Sequence, residues 1–218
     1  MMKLSEHSLS VLKNFATINS GIVIKEGSVQ KTISDDDSIF AQAEFPETFP
    51  QVFGIYDLHQ FLGNISALGH PELEFKDKFL TLDADGFSTG YFGCDPNIPK
   101  KPPEGKIDLR NPQVSFDLKE GILTKLLKIA ATNVLPNLSI IARDGEIRIK
   151  VHQKSNPTSH YSNFVVGHHV GDPVVATLKV ANLRMLPDDY YVEVKAGAFA
   201  KFTSKNHKLF YIVALETK

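Results

Sequence analysis

Residues 12–22 read LKNFATINSGI and predict how the chain begins to fold. Across residues 5–19, apolar side chains recur at helical spacing, which predicts an amphipathic helix. One face carries Leu9, Leu12, Phe15 and Ala16. The opposite face carries Ser10, Lys13, Asn14 and Thr17. Gly21 then ends the helix before an apolar run. Because this segment has no acid beyond Glu6, its polar face suits a sugar-phosphate backbone better than a salt-bridged surface.

A proline-rich segment divides the chain into two parts. Five prolines stand at positions 96, 99, 102, 103 and 112, and neither a helix nor a sheet interior tolerates that density. The segment is typical of a semi-extended connector. The sequence therefore predicts a first domain at residues 1–93, a connector at residues 94–112 and a second domain at residues 113–218.

The predicted elements follow a similar order in the two halves. The first half reads helix 5–19, strands 21–26, 29–33 and 38–45, helix 55–68, and strands 73–76, 79–83 and 87–92. The second half reads strand 113–117, helix 118–133, strands 138–142, 146–153, 160–166 and 173–178, helix 179–185, and strands 190–195, 199–203 and 208–216. Asp85-Gly86 and Asp144-Gly145 predict tight hairpins. This order predicts an α+β protein of two similar domains, each an antiparallel sheet with two helices on one face.

Composition narrows the class of protein. The 218 residues are 42% hydrophobic, as expected for a globular chain with a substantial core. No apolar run approaches the roughly 18 residues that would span a bilayer, and residues 1–6 lack the apolar region of a signal peptide. Cys94 is the single cysteine, so no intrachain disulfide can form, and we expect a reducing cytoplasm and no membrane association.

The net charge of −1 hides an asymmetry along the chain. Residues 1–108 hold 9 Lys, no Arg and 16 Asp plus Glu, whereas residues 109–218 hold 15 Lys plus Arg and 9 Asp plus Glu. One explanation for this difference is an ordinary solvated surface on which charged residues happen to be unevenly distributed between the two halves. Head-to-tail self-association, in which an acidic half meets a basic half, accounts for it equally.

Motifs for catalysis or metal binding are scarce. The sequence has no phosphate-binding glycine loop, no nucleophile elbow and no paired-cysteine zinc pattern. Asp83-Ala84-Asp85-Gly86 starts like a calcium loop but lacks the later acidic ligands, so a hairpin turn is favoured. His152, His160, His168 and His169 have no helical ligand spacing. Residues 35–37, three aspartates, are interpreted as an acidic turn. We therefore expect no catalytic residue, no resident metal and no cofactor.

Cations on the predicted helices are the more informative pattern. In the third helix the apolar stripe comprises Ile122, Leu123, Leu126, Leu127 and Ala130. The opposite stripe comprises Gly121, Lys125, Lys128 and Thr132. Three of the four predicted helices carry such cations, and apolar stripes that bind a sheet turn the polar stripes outward together. The candidate phosphate-facing residues are Lys3, Lys13, Lys119, Lys125, Lys128, Lys179 and Arg184. From periodicity alone, simply solvated cations are the alternative.

Three segments, in order along the chain, resemble one known family. They are residues 12–22, residues 55–63 (IYDLHQFLG) and residues 211–216 (YIVALE). All three are similar to the sliding clamp of T-even-type bacteriophages, the ring that tethers DNA polymerase to its template. The resemblance implies a homotrimeric ring around double-stranded DNA, bound without sequence specificity. It further implies a replicative DNA polymerase and an ATP-dependent clamp loader as partners, no enzymatic activity, and a place in the cytoplasm of the infected bacterial host.

The resemblance also implies two protein-binding regions. An apolar pocket for the hydrophobic tails of client proteins would involve Ile107, Leu109, Tyr211 and Val213, for which ordinary core packing is the alternative. Ring closure would use edge strands at residues 87–91 and 160–166, with Phe87, Tyr91, Tyr161 and Phe164 at the subunit interface. Since the sequence ends at Lys218, soon after its last predicted strand, we expect no acidic tail.

Two other functions remain as alternatives at this point. A phage structural or assembly protein of paired β-rich domains would explain the similar halves and the self-association, but it gives no reason for cations on three helices. A small hydrolase that uses the histidine-rich region would require metal dependence, and no ligand spacing supports it.

Overall fold

The computed structural model describes residues 1–105 and 111–216, and these form two compact units. The first unit is Met1–Glu104 and the second is Gly105–Lys218. Within each unit every strand pair is antiparallel. The α+β fold class predicted from the sequence is confirmed.

The first unit contains two helices and seven strands among its described residues. The helices are α1 (Glu6–Ile18) and α2 (Leu58–Ala67). The strands are β1 (Ile22–Ile24), β2 (Gly27–Ile33), β3 (Ile39–Phe49), β4 (Phe53–Ile55), β5 (Glu72–Phe75), β6 (Phe79–Ala84) and β7 (Phe87–Phe92). Strand β1 pairs with β4, β2 pairs with β3, and β5, β6 and β7 form a sheet in that order. Strand β4 was not predicted, and its last residue, Ile55, was placed at the start of the helix predicted at residues 55–68.

Helix α1 begins and ends as the sequence predicts. The Ser5 hydroxyl accepts the Ser8 N–H, so Ser5 caps the helix, and Gly21 follows soon after its end. Leu12 and Phe15 are fully buried. The prediction is wrong for Asn14, which lies on the buried side of the helix although it was placed on the polar face.

The hairpin turns predicted at two Asp-Gly pairs are confirmed. Asp85 and Gly86 have φ of 48° and 83°, and Asp144 and Gly145 have φ of 54° and 83°. Positive φ at both central residues is the geometry of the tightest two-residue hairpins, and Asp and Gly tolerate it. The turn at Asp85-Gly86 joins residues 79–84 to residues 87–92, and the turn at Asp144-Gly145 joins residues 137–143 to residues 146–152, so each turn fixes the register of its own strand pair.

The second unit contains one α-helix, α3 (Glu120–Thr132), among its described residues. Its strands are β8 (Val114–Leu118), β9 (Asn137–Arg143), β10 (Glu146–His152), β11 (Ser162–His168), β12 (Val174–Lys179), β13 (Tyr190–Lys195), β14 (Phe199–Ser204) and β15 (Leu209–Ala214). One sheet has the order β11-β10-β9-β12, and in the other β13 lies between β8 and β14, with β15 beyond β14. Leu123, Leu126 and Ala130 of α3 are buried, as the apolar stripe predicts.

The fourth predicted helix, at residues 179–185, is wrong. Only a 3₁₀ turn forms there, at Val180–Asn182. The chain then runs on in an irregular path because two buried tyrosines hold Leu186: the Tyr190 hydroxyl donates to its carbonyl, and its N–H donates to the Tyr211 hydroxyl at 3.2 Å. Pro187 follows directly and cannot supply a helical N–H. The second unit therefore has one α-helix on its sheets where two were predicted.

Helix α3 ends in a strained position. The Leu135 N–H donates to Ala130 O at 2.8 Å and the Val134 N–H to Ala131 O at 3.3 Å, the paired bonds that close a helix through a left-handed residue. That residue is Val134, with φ of 52°. A β-branched side chain is unfavourable there, whereas glycine is the usual choice. Val134 is also 83% exposed, so no packing offsets the strain.

Val134→Gly should raise the free energy of unfolding by roughly 1 kcal/mol, because the left-handed conformation then carries no Cβ penalty. Urea denaturation followed by circular dichroism measures this change. Val134→Ala is the control, since it removes the branch but keeps the Cβ atom, and it should gain less. A glycine variant no more stable than the alanine variant would contradict the strain.

Candidate functional site

The outward side of α1 carries a narrow polar stripe. Glu6, Ser10, Lys13 and Thr17 are exposed at spacings of four, three and four residues, while most of the remaining helix is buried. Lys3 is exposed just before the helix. In the described part of the chain, no carboxylate lies within 4.0 Å of the Lys13 ammonium. The stripe is therefore one unpaired cation among small neutral groups, with Glu6 at its start.

Helix α3 presents a second stripe of the same kind. Gly121, Lys125, Lys128 and Thr132 are all exposed, as the sequence predicts. Within the described residues neither lysine has a carboxylate within 4.0 Å. Two unpaired ammonium groups one helical turn apart can meet successive phosphates without reading a base. Helix α2, by contrast, contains no Lys or Arg.

Lys119 differs from the other candidates because its charge is already matched. Its ammonium lies 2.6 Å from the Asp189 carboxylate, which also accepts the Glu120 N–H at 2.9 Å. The Lys119 hydrogen bond lowers the pKa of Asp189, and Asp189 in turn raises the pKa of Lys119. This ion pair holds the start of α3. Because the Lys119 ammonium is already paired with Asp189, it is less available to bind a phosphate.

Lys179 and Arg184 do not lie on a helix, since the fourth helix is absent. Lys179 ends β12 on the face of Val175 and Thr177, opposite the buried side chains of Ala176 and Leu178. The prediction that Lys179 belongs to a helical cation stripe is wrong. Arg184 is exposed on the segment after the 3₁₀ turn.

Two strands are open at the edge of their sheets. Strand β7 has β6 on one side, and β11 has β10 on one side, and within its own unit the described residues place no strand on the other side of either. Phe87 and Phe92 on β7 are exposed, as are Phe164 on β11 and Tyr161 just before it. Exposed aromatic edges of this kind are binding surfaces for another strand.

Two predictions about apolar sites are wrong, and a third lies outside the described residues. Tyr91 is only 8% exposed, because its ring packs on Phe61 at 5.2 Å between centroids and its hydroxyl donates to Asp57 O. Tyr211 and Val213 are fully buried in β15, so neither is open to a client protein. Ile107 and Leu109, predicted for the same pocket, lie outside the described residues.

His152 and Asp36, from the histidine and aspartate clusters, each take part in local hydrogen bonds. His152 Nε2 lies 2.8 Å from Ser139 Oγ, and burial lowers its pKa. Asp36 accepts the Ser38 and Ser34 hydroxyls, which lower its pKa to about 2. Among the residues that the structure describes, no three His, Cys, Asp or Glu side chains are placed to hold a metal ion.

Comparisons with known proteins identify the family of this chain. A family model described as DNA polymerase processivity factor matches residues 5–76. A sliding clamp of Vibrio phage KVP40 is 30% identical over 224 residues, covering 99% of both chains. The sliding clamp of Enterobacteria phage T4 is 30% identical over 229 residues, covering 99% of this chain and 97% of its own.

This chain belongs to the sliding clamp family. It is therefore a DNA sliding clamp, a processivity factor in DNA replication. The fold agrees, since the solved structure of A. fulgidus PCNA with the C-terminal region of FEN-1 superposes at a TM-score of 0.75 over 100% of this chain and 99% of that one, at 12% identity. The structural or assembly protein of paired β-rich domains is not favoured.

Clamps of this family form rings that act with DNA and a DNA polymerase. The relatives are bacteriophage proteins and are named only as sliding clamps. Within the described residues, no helix is both long and apolar enough to cross a bilayer. Sequence reasoning missed the Lys119–Asp189 pair, because the two residues are 70 positions apart and only the tertiary fold brings them together.

Lys119→Met should raise the pKa of Asp189 toward its ordinary value, because the hydrogen bond and the charge that stabilise the carboxylate are removed. Since the folded-state pKa is depressed, the stability that this pair contributes is present at neutral pH and is lost as the pH falls through that pKa. Carboxyl-carbon NMR titration measures the shift. Lys125→Met is the control and should leave the Asp189 titration unchanged, whereas an equal shift in both variants would contradict the pairing.

Proposed function

We propose that this clamp is a homotrimeric ring that encircles double-stranded DNA, with the stripes of α1 and α3 facing the duplex. The proposal rests on Lys13, Lys125 and Lys128, which are exposed ammonium groups without ion-pair partners on the outward faces of α1 and α3. Its domains are those of residues 1–93 and 113–218, joined by residues 94–112. The ring needs no active site, because its work is topological.

The character of the stripes fits a ring that moves along DNA. Phosphate contacts from lysine carry no sequence information, so a clamp held by them has no preferred stopping point. A lysine ammonium is a hydrated point charge on a flexible stem, which exchanges partners more readily than a bidentate arginine fork. The stripes of α1 and α3 contain Lys but no Arg. Lys3 and Arg184 extend the basic surface, and Lys119 contributes less because Asp189 neutralises it.

Ring closure in this proposal joins β7 of one copy to β11 of the next. A head-to-tail contact of this kind closes into a ring when its rotation permits, and three copies supply six similar units. Phe87, Tyr161 and Phe164 remain interface residues in the proposal. Tyr91 supports the edge from within, through its contact with Phe61.

Partners beyond DNA follow from the same proposal. A replicative polymerase gains processivity by holding the ring, and an ATP-dependent clamp loader opens it. Of the predicted client-pocket residues, Ile107 and Leu109 remain candidates. The place of action is the cytoplasm of the infected bacterial host.

Lys125→Glu with Lys128→Glu should lower stimulation of the cognate polymerase on a primed circular template by about tenfold, since two cations that meet phosphate become anions. The reduction should be largest at low salt, because the contact is electrostatic. Lys195→Glu, an exposed position on β13, makes the same kind of charge change as a matched control. If the double variant keeps its fold and stimulates as well as the wild type, the assignment of α3 to the DNA is wrong.

Light scattering after size exclusion should give a mass of about 73 kDa at high concentration, three times the 24.2 kDa of the chain. Dilution should reveal monomer, because a contact made by two strand edges is of limited area. Phe164→Glu should shift this equilibrium toward monomer by placing a charge in an apolar contact. A dimeric or tetrameric mass would rule out the trimer.

A further inference from the structure

We propose that β7 of one clamp copy pairs with β11 of the next copy in the register that sets Ser88 opposite Asn163. This inference rests on the proposed ring and specifies how it closes. Three independent features of the two edges select the register: the direction of their free backbone groups, the position of their exposed aromatics, and the charges on the neighbouring strands.

The backbone of β7 offers its free hydrogen-bonding groups at Ser88. In a two-residue hairpin the residues that flank the turn exchange both hydrogen bonds, and the bonding alternates from there along the antiparallel pair. Ala84 and Phe87 flank the Asp85-Gly86 turn. Ser88, opposite Asp83, is therefore the first residue of β7 whose N–H and C=O point away from β6.

The same alternation locates the free groups of β11. Arg143 and Glu146 flank the Asp144-Gly145 turn, so Lys150, opposite Ser139, directs its backbone groups to β9. Lys150 also stands opposite Asn163 on β11, which leaves the N–H and C=O of Asn163 pointing to the open side. The pairing is regular here, because the bulge lies further along, between Ile147 and Arg148.

The side chains of Ser88 and Asn163 also lie on matching faces. Leu80 and Leu82 are buried on the inner face of β6, and Ile147 and Ile149 are buried on the inner face of β10. By strand alternation Ser88 and Asn163 lie on the opposite, outer faces. A sheet that continues from β7 into β11 therefore keeps one inner face and one outer face across the junction.

The aromatic side chains distinguish among the registers that satisfy the backbone hydrogen bonding and keep the inner and outer faces matched. Pairing Ser88 with Asn163 sets Phe87 opposite Phe164 on the inner face. These rings are 70% and 48% exposed in the single chain, and cross-strand aromatic pairs stabilise sheets. A shift of two residues either way would set Phe87 opposite Ser162 or Val166 and lose the aromatic pair.

The acidic side of the junction carries two opposed carboxylates. Glu72 on β5 stands directly opposite Asp83 on β6, on the outer face of the sheet. In the described part of the chain, no cationic side chain lies within 4.0 Å of either carboxylate. The Ser88 side chain hydrogen-bonds Asp83, and Lys76, which is held by Glu74 at 2.5 Å, adds a favourable charge, so the pKa of Asp83 is lowered and its carboxylate stays ionised. This outer face therefore has room for a cation from elsewhere.

The basic side of the junction presents such a cation. The Lys150 ammonium lies over the Tyr161 ring at 4.5 Å from its centroid, beside the open edge, and no described carboxylate is within 4.0 Å of it. In the proposed register Asp83, Ser88, Asn163 and Lys150 lie on one line across four strands. The outer two strands are about 14 Å apart, and the side chains bring the charges within the screening length of roughly 8 Å at physiological salt.

Disulfide trapping tests the register. In a Cys94→Ala background, Ser88→Cys with Asn163→Cys places two cysteines at a hydrogen-bonded pair, where the Cα separation of about 5.5 Å suits a disulfide. Mild oxidation should give covalent dimers and trimers on a non-reducing gel, which dithiothreitol reverses. Gly90→Cys with Asn163→Cys and Ser88→Cys with Tyr161→Cys sample registers shifted by two residues and should crosslink at least tenfold more slowly. Faster crosslinking of either shifted pair would overturn the register.

A charge swap tests the electrostatic part. Lys150→Glu should weaken trimer association in sedimentation equilibrium by about tenfold at low salt, since a like charge then meets the acidic face. Asp83→Lys combined with Lys150→Glu should restore association, whereas Lys195→Glu, distant from this edge, should leave it unchanged. Association of Lys150→Glu equal to wild type would overturn the charge pairing. If wild-type protein shows no self-association at any concentration, the proposed ring itself fails, which is a separate outcome.

Discussion

Burial of one stripe on each helix is the constraint on which the rest of this structure depends. Leu12 and Phe15 tie α1 to the first unit, and Leu123 and Leu126 tie α3 to the second. Once these side chains are buried, helical geometry leaves Lys13, Lys125 and Lys128 no direction but outward. The core therefore does more than stabilise the units, because the packing of hydrocarbon side chains also decides which way the unpaired ammonium groups point.

The charges on these helices divide into those that hold the structure and those left available. Lys119 is paired with Asp189 and fixes the start of α3, whereas Lys125, less than two turns further on, has no such partner. Surface ion pairs contribute little stability, so leaving Lys125 and Lys128 unpaired costs the fold little. In the proposed ring, such an available ammonium exchanges water for phosphate as DNA passes, which a lysine already held by a carboxylate does less readily.

Periodicity predicted the helices and hairpins well and failed where distant residues decide the outcome. The stripe of α3 and both Asp-Gly turns depend on neighbours within a few positions, so the sequence was sufficient. Residues 179–185 have acceptable helical spacing, yet Tyr190 and Tyr211 bind the backbone of Leu186 and prevent the helix. Tyr211, Ile212 and Val213 are consecutive residues of β15 and all three are buried. Because both faces of this strand are covered here, the alternation of its side chains could not show which of them a client protein can reach. The Glu72–Asp83 pair could not be predicted for another reason. The turn at Asp85-Gly86 fixes the register of β6 against β7, but it does not fix the register of β5 against β6.

Two features of this chain are explained by association with another copy. An antiparallel sheet that ends in β7 leaves backbone groups and Phe87 exposed to water, and the carboxylates of Glu72 on β5 and Asp83 on β6 lie on its outer face. Both features lie on the same three-stranded sheet. The second unit has the complementary features on its own sheet, with an open β11, an exposed Phe164 and an unpaired Lys150. Because the features at β7 are complementary to those at β11, the β7 edge of one copy can bind the β11 edge of another. These features therefore favour association of copies over a free monomer.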